Sequence, residues 1–586
     1  MLELIIRFVF LMVVLFGLFE FSLIELNIKK DFIPLFVFSS IGLVSFMAGL
    51  LNVMQESILI LIGFSLFYLI YLIVNRKLRK LFPSLGMSYF LGMIAYLAIL
   101  LKGVRFSEYD DFSHWGLVAR ELVLNDQMPN FASELITFQS YPTGSANFMY
   151  FIGKILGESE GILLFGQSLL LLASITVFFA FVKKNKIVNT VLILIATLFF
   201  FTANNSIFML SVDTLLTLIG LGVTAILLHN FREKTMEKSF LVILPILAFL
   251  MIIKNSSILF VLINSILYAG LLLKSKGINN KNLSLSVMSF AVPYFFSYLW
   301  TKHVDFVFPS GREAKHSVSL ENYQAIMESK TPEDIELITK TFLDRMVNTQ
   351  TPDVRIFMMV LVTFLVVALS KMIFRRNGVN NYREWKLFCS SILLYIVYQA
   401  GLWAMYLFSM PIGEAINLAG YERYNLTIVM YLYGLLLIYF LVQNQKTVFS
   451  KPATITLKTF SVILLAVYLF LPGRHDVSDL LGKYQSPSSV RSIFSDVIEG
   501  EDIPETGEFY IYKSDNDRLN KAGILTYIAK YELRSPYVKI INKSNIEEVI
   551  TERKNAHVVL IEKDEYIMDL LERNNLDGSK MIIQIN

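Results

Sequence analysis

Long apolar stretches recur along most of the chain, and they limit its fold more than any other feature of the sequence. A helix needs roughly 20 mostly apolar residues to cross a bilayer, and about fourteen stretches approach that length. They lie near residues 3–25, 33–52, 58–75, 85–102, 161–182, 187–203, 207–229, 240–253, 257–273, 283–301, 355–374, 387–409, 425–443 and 457–471. The sequence therefore predicts an all-α polytopic membrane protein, with 240–253 and 257–273 as either two spans or one broken pair.

Composition excludes the common soluble classes. Of the 586 residues, 55% are hydrophobic and only 17% are charged, whereas a soluble protein carries about 25% charged residues. This disfavours a disordered chain, a cytosolic enzyme and a nucleic-acid-binding protein. The formal net charge of +4 is small for this length and indicates no polyanionic partner. The single cysteine excludes an intramolecular disulfide framework and a cysteine-rich metal site.

Short basic loops give an independent test of the span count, since such loops collect on the cytoplasmic side of a membrane. With fourteen spans, all of them fall on one side. They lie at 29–30, 76–80, 183–186, 232–238, 274–281, 375–386 and 446–458. The long loops 103–160 and 302–354, the N-terminus and the C-terminal tail then fall on the outer side.

The chain divides into three predicted regions. Residues 1–84 supply additional N-terminal transmembrane helices, and residues 85–471 form the main transmembrane module with its outer loops 103–160 and 302–354. The tail, 474–586, is predicted to be a small extracytoplasmic α/β domain with a parallel sheet, because strand-like and helix-like segments alternate there. Its strands are predicted at 508–512, 537–541, 557–561 and 581–585, with helices near 517–531, 545–552 and 564–573. No glycine-rich phosphate loop follows the first strand, so no nucleotide is assigned.

The first outer loop begins with a dense group of acidic residues. Glu108, Asp110 and Asp111 lie within four positions just beyond the fourth span. Neighbouring carboxylates repel one another unless a cation, a metal or a proton-transfer role compensates. The alternative is an interfacial helix capped by Asp110 or Asp111 and anchored by Trp115. In either case His114 would share a helix face with Asp110.

Three further charges lie at the outer ends of predicted spans. Ionisable groups in spans are costly and are candidates for function, and Asp213, Lys254 and Arg423 are such groups. Each also has a structural explanation: Asp213 as a helix N-cap, Lys254 as a snorkelling lysine, and Arg423 as the partner of Glu422 or Glu414.

Together these groups favour one reaction at the membrane surface. Cations at headgroup level neutralise a phosphate leaving group, while a carboxylate accepts a proton from an attacking hydroxyl. That chemistry is glycosyl transfer from a polyprenyl-phosphate sugar. A transporter would place its charges near the midplane of the membrane instead.

Four segments, in order, resemble a known family. They are Asp110-Asp111 with 119–122, then 213–216, 249–254 and 422–424, all within residues 85–445. They resemble motifs of the polytopic glycosyltransferases with the GT-C fold, especially the bacterial relatives of dolichyl-phosphate-mannose-protein mannosyltransferases and of aminoarabinose transferases. The resemblance implies a GT-C-like module across 85–471.

The resemblance also implies roles for individual residues. One aspartate of the acidic pair, with Asp110 as first choice and Asp111 as second, would be the general base, and the anomeric carbon would be inverted. Lys254 and Arg423 would help to bind the donor phosphate. The predicted substrate-binding residues are Glu108, His114, Asp213, Lys254, Arg423 and Tyr424. No metal site and no cofactor are predicted, although a divalent cation is compatible with the site.

The predicted enzyme transfers a hexose or pentose to a cell-envelope glycan or lipid-linked acceptor, with membrane lipid around it. The alternatives are a lipid-linked oligosaccharide polymerase and a flippase or transporter of envelope polysaccharide. The loop 302–354 would bind acceptor or cover the donor through charged residues, or is a solvated helical loop. Those residues are His303, Asp305, Arg312, Lys315 and His316. Abundant Lys, Asn and Ile favour a bacterial cell membrane, including that of a Gram-positive organism, over the endoplasmic reticulum.

Overall fold

The protein is a bundle of long helices followed by a small α/β domain. The computed structural model describes residues 2–77, 84–308, 320–373, 382–446, 478–484, 489–501, 503–504, 507–513, 520, 523–553 and 555–585. The helices of the bundle are α1 (Leu2–Ile24), α2 (Ile33–Leu50), α3 (Met54–Val74), α4 (Leu85–Leu100), α5 (Tyr109–Ser113), α6 (Trp115–Asn125), α7 (Gly144–Leu156), α8 (Glu160–Thr176), α9 (Lys186–Thr202), α10 (Asp213–Arg232), α11 (Ser239–Met251), α12 (Ile258–Lys276), α13 (Asn280–Val307), α14 (Leu320–Glu328), α15 (Pro332–Val347), α16 (Pro352–Ile373), α17 (Tyr382–Phe408), α18 (Ile412–Ile416) and α19 (Tyr421–Lys446).

The predicted spans correspond to helices wherever the structure describes the chain. Eleven of the described helices are long and apolar enough to cross a membrane. The shorter helices α4 and α11, of 16 and 13 residues, account for two more predicted spans. The last predicted span, 457–471, lies outside the described residues. One change of boundary bears on the site: α10 begins at Asp213 and not near 207, because residues 206–212 form a loop.

Two ion pairs place the basic residues Lys183 and Lys276 at the same end of the bundle. Lys183 lies 2.7 Å from Glu233, which joins the turn before α9 to the end of α10. Lys276 lies 2.5 Å from Glu237, so α12 returns to the end at which α11 begins. The segments 240–253 and 257–273 are therefore two antiparallel spans and not one broken span. Which end of the bundle faces the cytoplasm stays a prediction.

The C-terminal domain contains a four-stranded sheet. Its strands are β1 (Glu508–Tyr512), β2 (Val538–Ile541), β3 (Ala556–Leu560) and β4 (Ile582–Ile585), in the order β2-β1-β3-β4. β1 is parallel to both β2 and β3, but β4 is antiparallel to β3. The predicted all-parallel sheet is therefore wrong at its last strand. The chain re-enters beside the carboxyl end of β3, where Lys563 binds the carbonyls of Gly578 and Ser579 at 2.7 and 2.8 Å.

Helices cover both faces of this sheet. The helices are α20 (Ser489–Ile498), α21 (Ile524–Leu533), α22 (Ile546–Glu552) and α23 (Glu565–Arg573). Phe509 and Ile511 belong to a core shared with α20, α21 and the helix bundle, whereas Tyr510 and Val558 pack in a separate core with α22 and α23. The α20–α21 layer therefore lies between the sheet and the bundle. An all-α polytopic fold followed by a small α/β domain is confirmed.

Candidate functional site

Four charged side chains form a chain of ion pairs at the end of the bundle opposite Lys183 and Lys276. Lys254 Nζ lies 2.7 Å from Oδ1 of Asp213, and Arg423 Nε lies 3.1 Å from Oδ2 of the same carboxylate. Arg423 also donates a hydrogen bond through Nη1 to Oδ2 of Asp110. Two carboxylates thus alternate with two cations, so the group is neutral as a whole. We refer to these four residues as the ion-pair site.

Helix ends and one tight turn place these charges. Asp213 is the first residue of α10, and Arg423 lies in the first turn of α19. Lys254 is extended (φ −157°, ψ 145°) in the turn between α11 and α12. That turn packs closely on the first outer loop, because the Gly144 N–H donates to the Ile252 carbonyl at 2.7 Å. A Cβ at Gly144 would lie 2.6 Å from that oxygen, so glycine permits the approach that fixes the turn.

The contacts differ from the structural explanations offered by the sequence. Asp213 is a helical residue and not the N-cap of α10. The Lys254 side chain is only 14% exposed and is paired with Asp213, so it does not snorkel. Glu422 pairs with Arg345 and leaves Arg423 to Asp110 and Asp213. All three charges therefore converge on one site.

Tyr424 borders the two cations. Its ring centre lies 5.1 Å from Lys254 Nζ and 5.2 Å from the guanidinium carbon of Arg423. Both distances are within the range of cation–π attraction. The Tyr424 carbonyl accepts a hydrogen bond from the Tyr398 hydroxyl at 2.9 Å, which fixes the first turn of α19 against α17. The structure thus brings Tyr424 together with the predicted phosphate ligands.

The two adjacent aspartates have different surroundings. The Asp110 side chain is 25% exposed and contacts Arg423. Asp111 is completely buried, and its Oδ1 accepts a hydrogen bond from the Leu210 N–H at 2.8 Å. Burial raises the pKa of Asp111 to about 8. Asp110 is the carboxylate that a substrate can reach, while Asp111 joins α5 to the loop before α10.

Glu108, rather than Asp110 or Asp111, is the N-cap of helix α5. Its backbone N–H contacts Asp111 Oδ2 at 3.4 Å, as in a capping box. Burial and the neighbouring Asp110 raise the pKa of the Glu108 carboxyl, and Arg423 opposes that shift. The Glu108 carboxyl thus interacts electrostatically with the ion-pair site, while its role in substrate binding stays a prediction.

His114 lies in an aromatic enclosure at the kink between α5 and α6. Its ring makes edge contacts with Trp115, Phe138 and Tyr141 at centroid distances of 4.5, 5.8 and 5.1 Å. Burial lowers the His114 pKa to about 3, so the ring is neutral. Trp115 is only 6% exposed and stacks on Tyr141. The prediction of Trp115 as a membrane-interface anchor is therefore wrong, because protein side chains enclose it.

Two buried amides that position the site were missed by the sequence reasoning. Gln167 in α8 donates to the Met209 carbonyl at 2.9 Å and so holds the loop whose Leu210 N–H binds Asp111. Asn425 donates to Asp353 at 2.6 Å and joins α19 to α16. Both are polar residues in predicted membrane spans, and a polar residue in such a span is the sequence feature by which they could have been found.

The second outer loop contributes structural contacts in its described part. Lys330 Nζ donates to the carbonyls of Tyr406, Leu407 and Met410 at 2.6–2.9 Å, which caps the end of α17. His303 bonds to the Pro129 carbonyl at 3.0 Å, and Asp305 pairs with Lys302. The remaining predicted loop residues lie outside the described residues: Arg312, Lys315 and His316. Among the residues that the structure describes, no group of three His, Cys, Asp or Glu side chains is placed to hold a metal ion.

Comparison with known proteins adds two similar structures. No family model matches the chain, and no curated protein matches its sequence. The chain is similar to ArnT from Cupriavidus metallidurans bound to undecaprenyl phosphate, with 12% identity, a TM-score of 0.36, and coverage of 85% of this chain and 97% of that one. For ArnT in the apo state the TM-score is 0.35, with 12% identity and coverage of 83% and 94%. At these TM-scores the likeness identifies no family, and the functional argument rests on the ion-pair site.

Proposed function

We propose that the protein is a membrane glycosyltransferase that takes a sugar from a polyprenyl-phosphate donor and transfers it to a cell-envelope glycan or lipid-linked acceptor. The ion-pair site carries this proposal. Two cations meet at one end of membrane-spanning helices, next to a carboxylate that is partly open. A polyprenyl phosphate places its charge at the membrane surface, where such cations bind it.

In the proposed reaction Lys254 and Arg423 hold the donor phosphate and neutralise the charge that develops on it. Asp110 accepts the proton of the acceptor hydroxyl, whose oxygen bonds to the anomeric carbon. The bond between that carbon and the phosphate oxygen breaks, and polyprenyl phosphate leaves. Attack opposite the leaving group inverts the anomeric carbon. Tyr424 supports the cations, while Glu108 and His114 border the reacting groups.

Donor binding also activates the base in this scheme. Without donor, Arg423 is shared between Asp110 and Asp213. A phosphate oxygen that binds Arg423 competes with Asp110 and releases it toward the acceptor. Asp213 is 3% exposed and stays between the two cations. Ion-pair exchange thus links occupation of the phosphate site to release of the carboxylate.

The proposed location is the cell membrane of a bacterium, with the ion-pair site, the N-terminus and the C-terminal domain on the outer side. In the part of the chain that the structure describes, the basic residues Lys183 and Lys276 lie at the opposite end of the bundle, and basic loops are typical of the cytoplasmic side. An acceptor at this surface would be an envelope glycan or a lipid-linked intermediate.

The test compares envelope glycans, by mass spectrometry, between cells with the wild-type protein, cells without it, and cells with Asp110→Asn. A sugar increment that requires the protein and Asp110 supports the proposal. Purified wild-type and variant chains are also tested for binding of undecaprenyl phosphate in detergent. Glycan chains that change in length instead of gaining a sugar would favour the polymerase. Loss of export with every glycan intact would favour the transporter.

A further inference from the structure

Arg491 lies at the centre of the contact between the C-terminal domain and the first outer loop. Its side chain is 5% exposed. Nη1 and Nη2 bind the two carboxylate oxygens of Glu160 at 2.7 and 2.6 Å, and Nε binds Glu532 at 2.8 Å. Nη1 also donates to the Phe106 carbonyl at 2.6 Å. One arginine thus joins α20 and α21 to α8 and to the chain that enters α5.

The contact extends to the helix that carries the acidic pair. The Arg491 guanidinium lies 5.1 Å from the ring centre of Phe112, and Tyr531 meets the same ring edge-on at 5.4 Å. At the start of α5, Tyr109 makes an edge contact with Tyr527 at 5.1 Å. Tyr109 and Phe112 flank Asp110 and Asp111 in sequence. Helix α21 of the C-terminal domain therefore packs directly on the acidic helix.

We propose that Arg491 is a positioning residue, through which the C-terminal domain holds α5 so that Asp110 stays within reach of Arg423 and of the donor. This rests on the proposed function, since it gives the C-terminal domain a part in the same reaction. Helix α5 has only five residues, and so short a helix is not stable without tertiary contacts. Asp111 fixes it on the bundle side, and Arg491 fixes it on the side of the C-terminal domain.

The proposal predicts separable effects on reaction and binding. Lys254 and Arg423 belong to the α11–α12 turn and to α19, so a displaced α5 leaves them in place. A displacement of about 1 Å in a reacting group lowers the rate about 100-fold. Loss of Arg491 is therefore expected to slow transfer strongly without weakening phosphate binding.

The experiment compares full-length Arg491→Lys with the wild type by hydrogen exchange, undecaprenyl phosphate binding and envelope glycan analysis. Lysine keeps the positive charge but lacks the planar guanidinium group, which donates to Glu160 and Glu532 at the same time. We expect amides of 106–115 to exchange about 10-fold faster and product to fall about 10- to 100-fold, while phosphate binding is not weakened by more than about 2-fold. Arg573→Lys, at a 72% exposed position on α23, is the matched control.

Glu532→Gln provides a second variant if Arg491→Lys does not fold. It keeps Arg491 and Glu160 but weakens the ion pairs of Glu532 with Arg491 and Arg105, and we expect faster exchange of 106–115 without loss of folding. Unchanged exchange and product in folded variants would overturn the proposal. So would exchange that also rises at 252–257, since Arg491 would then be a general stability residue. If the wild type does not bind undecaprenyl phosphate, the proposed function fails, while the exchange data still decide whether Arg491 holds α5.

Discussion

Arg423 and Arg491 each contact two carboxylates, but the two arginines lie in different surroundings. Every guanidinium nitrogen of Arg491 has a hydrogen-bond partner, and its side chain is 5% exposed. The Arg423 side chain is 26% exposed, and its Nε faces Asp213 without the alignment of a hydrogen bond. One arginine is enclosed and fully paired, whereas the other is open and incompletely paired.

The difference separates a structural arginine from one that is able to exchange partners. Removing one member of a buried ion pair leaves the other charge unpaired and costs about 3–5 kcal/mol. Loss of the open Arg423 costs less, because water reaches Asp110 and Lys254 still pairs with Asp213. Arg423 is therefore suited to bind an incoming phosphate in place of Asp110, while Arg491 is suited to hold two parts of the protein together.

The largest expected effect follows from replacing the open carboxylate beside Arg423. Asp110→Asn is expected to lower transfer about 10³-fold, since general-base catalysis contributes about 10²–10⁴-fold. The same change is expected to tighten undecaprenyl phosphate binding, because Asp110 no longer competes for Arg423. Mass spectrometry of envelope glycans and binding to the purified chain measure the two effects. Asp569→Asn, at an exposed ion pair on α23, is the control, and weaker binding in Asp110→Asn would contradict ion-pair exchange.

The second prediction is that the two arginines differ in role, Arg423 in phosphate binding and Arg491 in stability. Arg423→Ala is expected to weaken undecaprenyl phosphate binding about 100-fold, since the loss of a charge-assisted contact costs about 2–5 kcal/mol, with a small change in thermal stability. Arg491→Ala is expected to lower thermal stability without weakening undecaprenyl phosphate binding. It removes the cation bound to Glu160, whose side chain is 15% exposed, and leaves Glu532 with Arg105 at 3.3 Å, so the unfolding temperature falls by several degrees. Thermal unfolding in detergent and phosphate binding test both variants, and equal losses in the two assays would remove the distinction.

The third prediction is that the buried Asp111, unlike the open Asp110, makes the stability of the folded protein depend on pH. The pKa of Asp111 is raised to about 8 in the folded chain from 3.8, so between these values the unfolded chain binds fewer protons. Stability therefore falls as pH rises through that range, by up to about 1.4 kcal/mol per pH unit. Asp111→Asn lacks this loss and keeps an oxygen for the Leu210 N–H.

The measurement is the difference in unfolding temperature between Asp111→Asn and the wild type at pH 5 and pH 8. We expect the variant's advantage to grow with pH. The lowered pKa of His114 acts in both chains and cancels in the difference. A difference that is independent of pH would show that Asp111 is ionised in the folded protein.

The sequence was sufficient to predict those residues of the site whose charge departs from the usual distribution of charge in a membrane protein. Lys254 and Arg423 were conspicuous because positive charge is otherwise scarce on the predicted outer side, and the structure places both on Asp213. Most helices followed from apolar length alone. The direction of β4 did not, because it depends on the return of the chain after α23 and on the Lys563 contacts.

Arg491 could not be found in the same way. It lies in a tail of ordinary charged composition, where one more arginine violates no pattern. Its partner Glu160 stands at the start of a span, where an acidic residue is favourable at a helix N-terminus. Only the packing of α20 and α21 on the first outer loop brings these residues together. Sequence patterns thus identified the open site, while the enclosed contact required the fold.

The smallest expected effect concerns Tyr424, which borders the open arginine through its ring more than through its hydroxyl. The hydroxyl lies 3.5 Å from Arg423 Nη2, at the limit of a hydrogen bond, whereas the ring faces both cations. Tyr424→Phe keeps the ring and is expected to change undecaprenyl phosphate binding by less than about 3-fold. Tyr424→Leu loses the cation–π contacts, about 0.5–1 kcal/mol each at exposed sites, and is expected to weaken binding about 5- to 10-fold. If phenylalanine were as damaging as leucine, the hydroxyl would contact the phosphate itself.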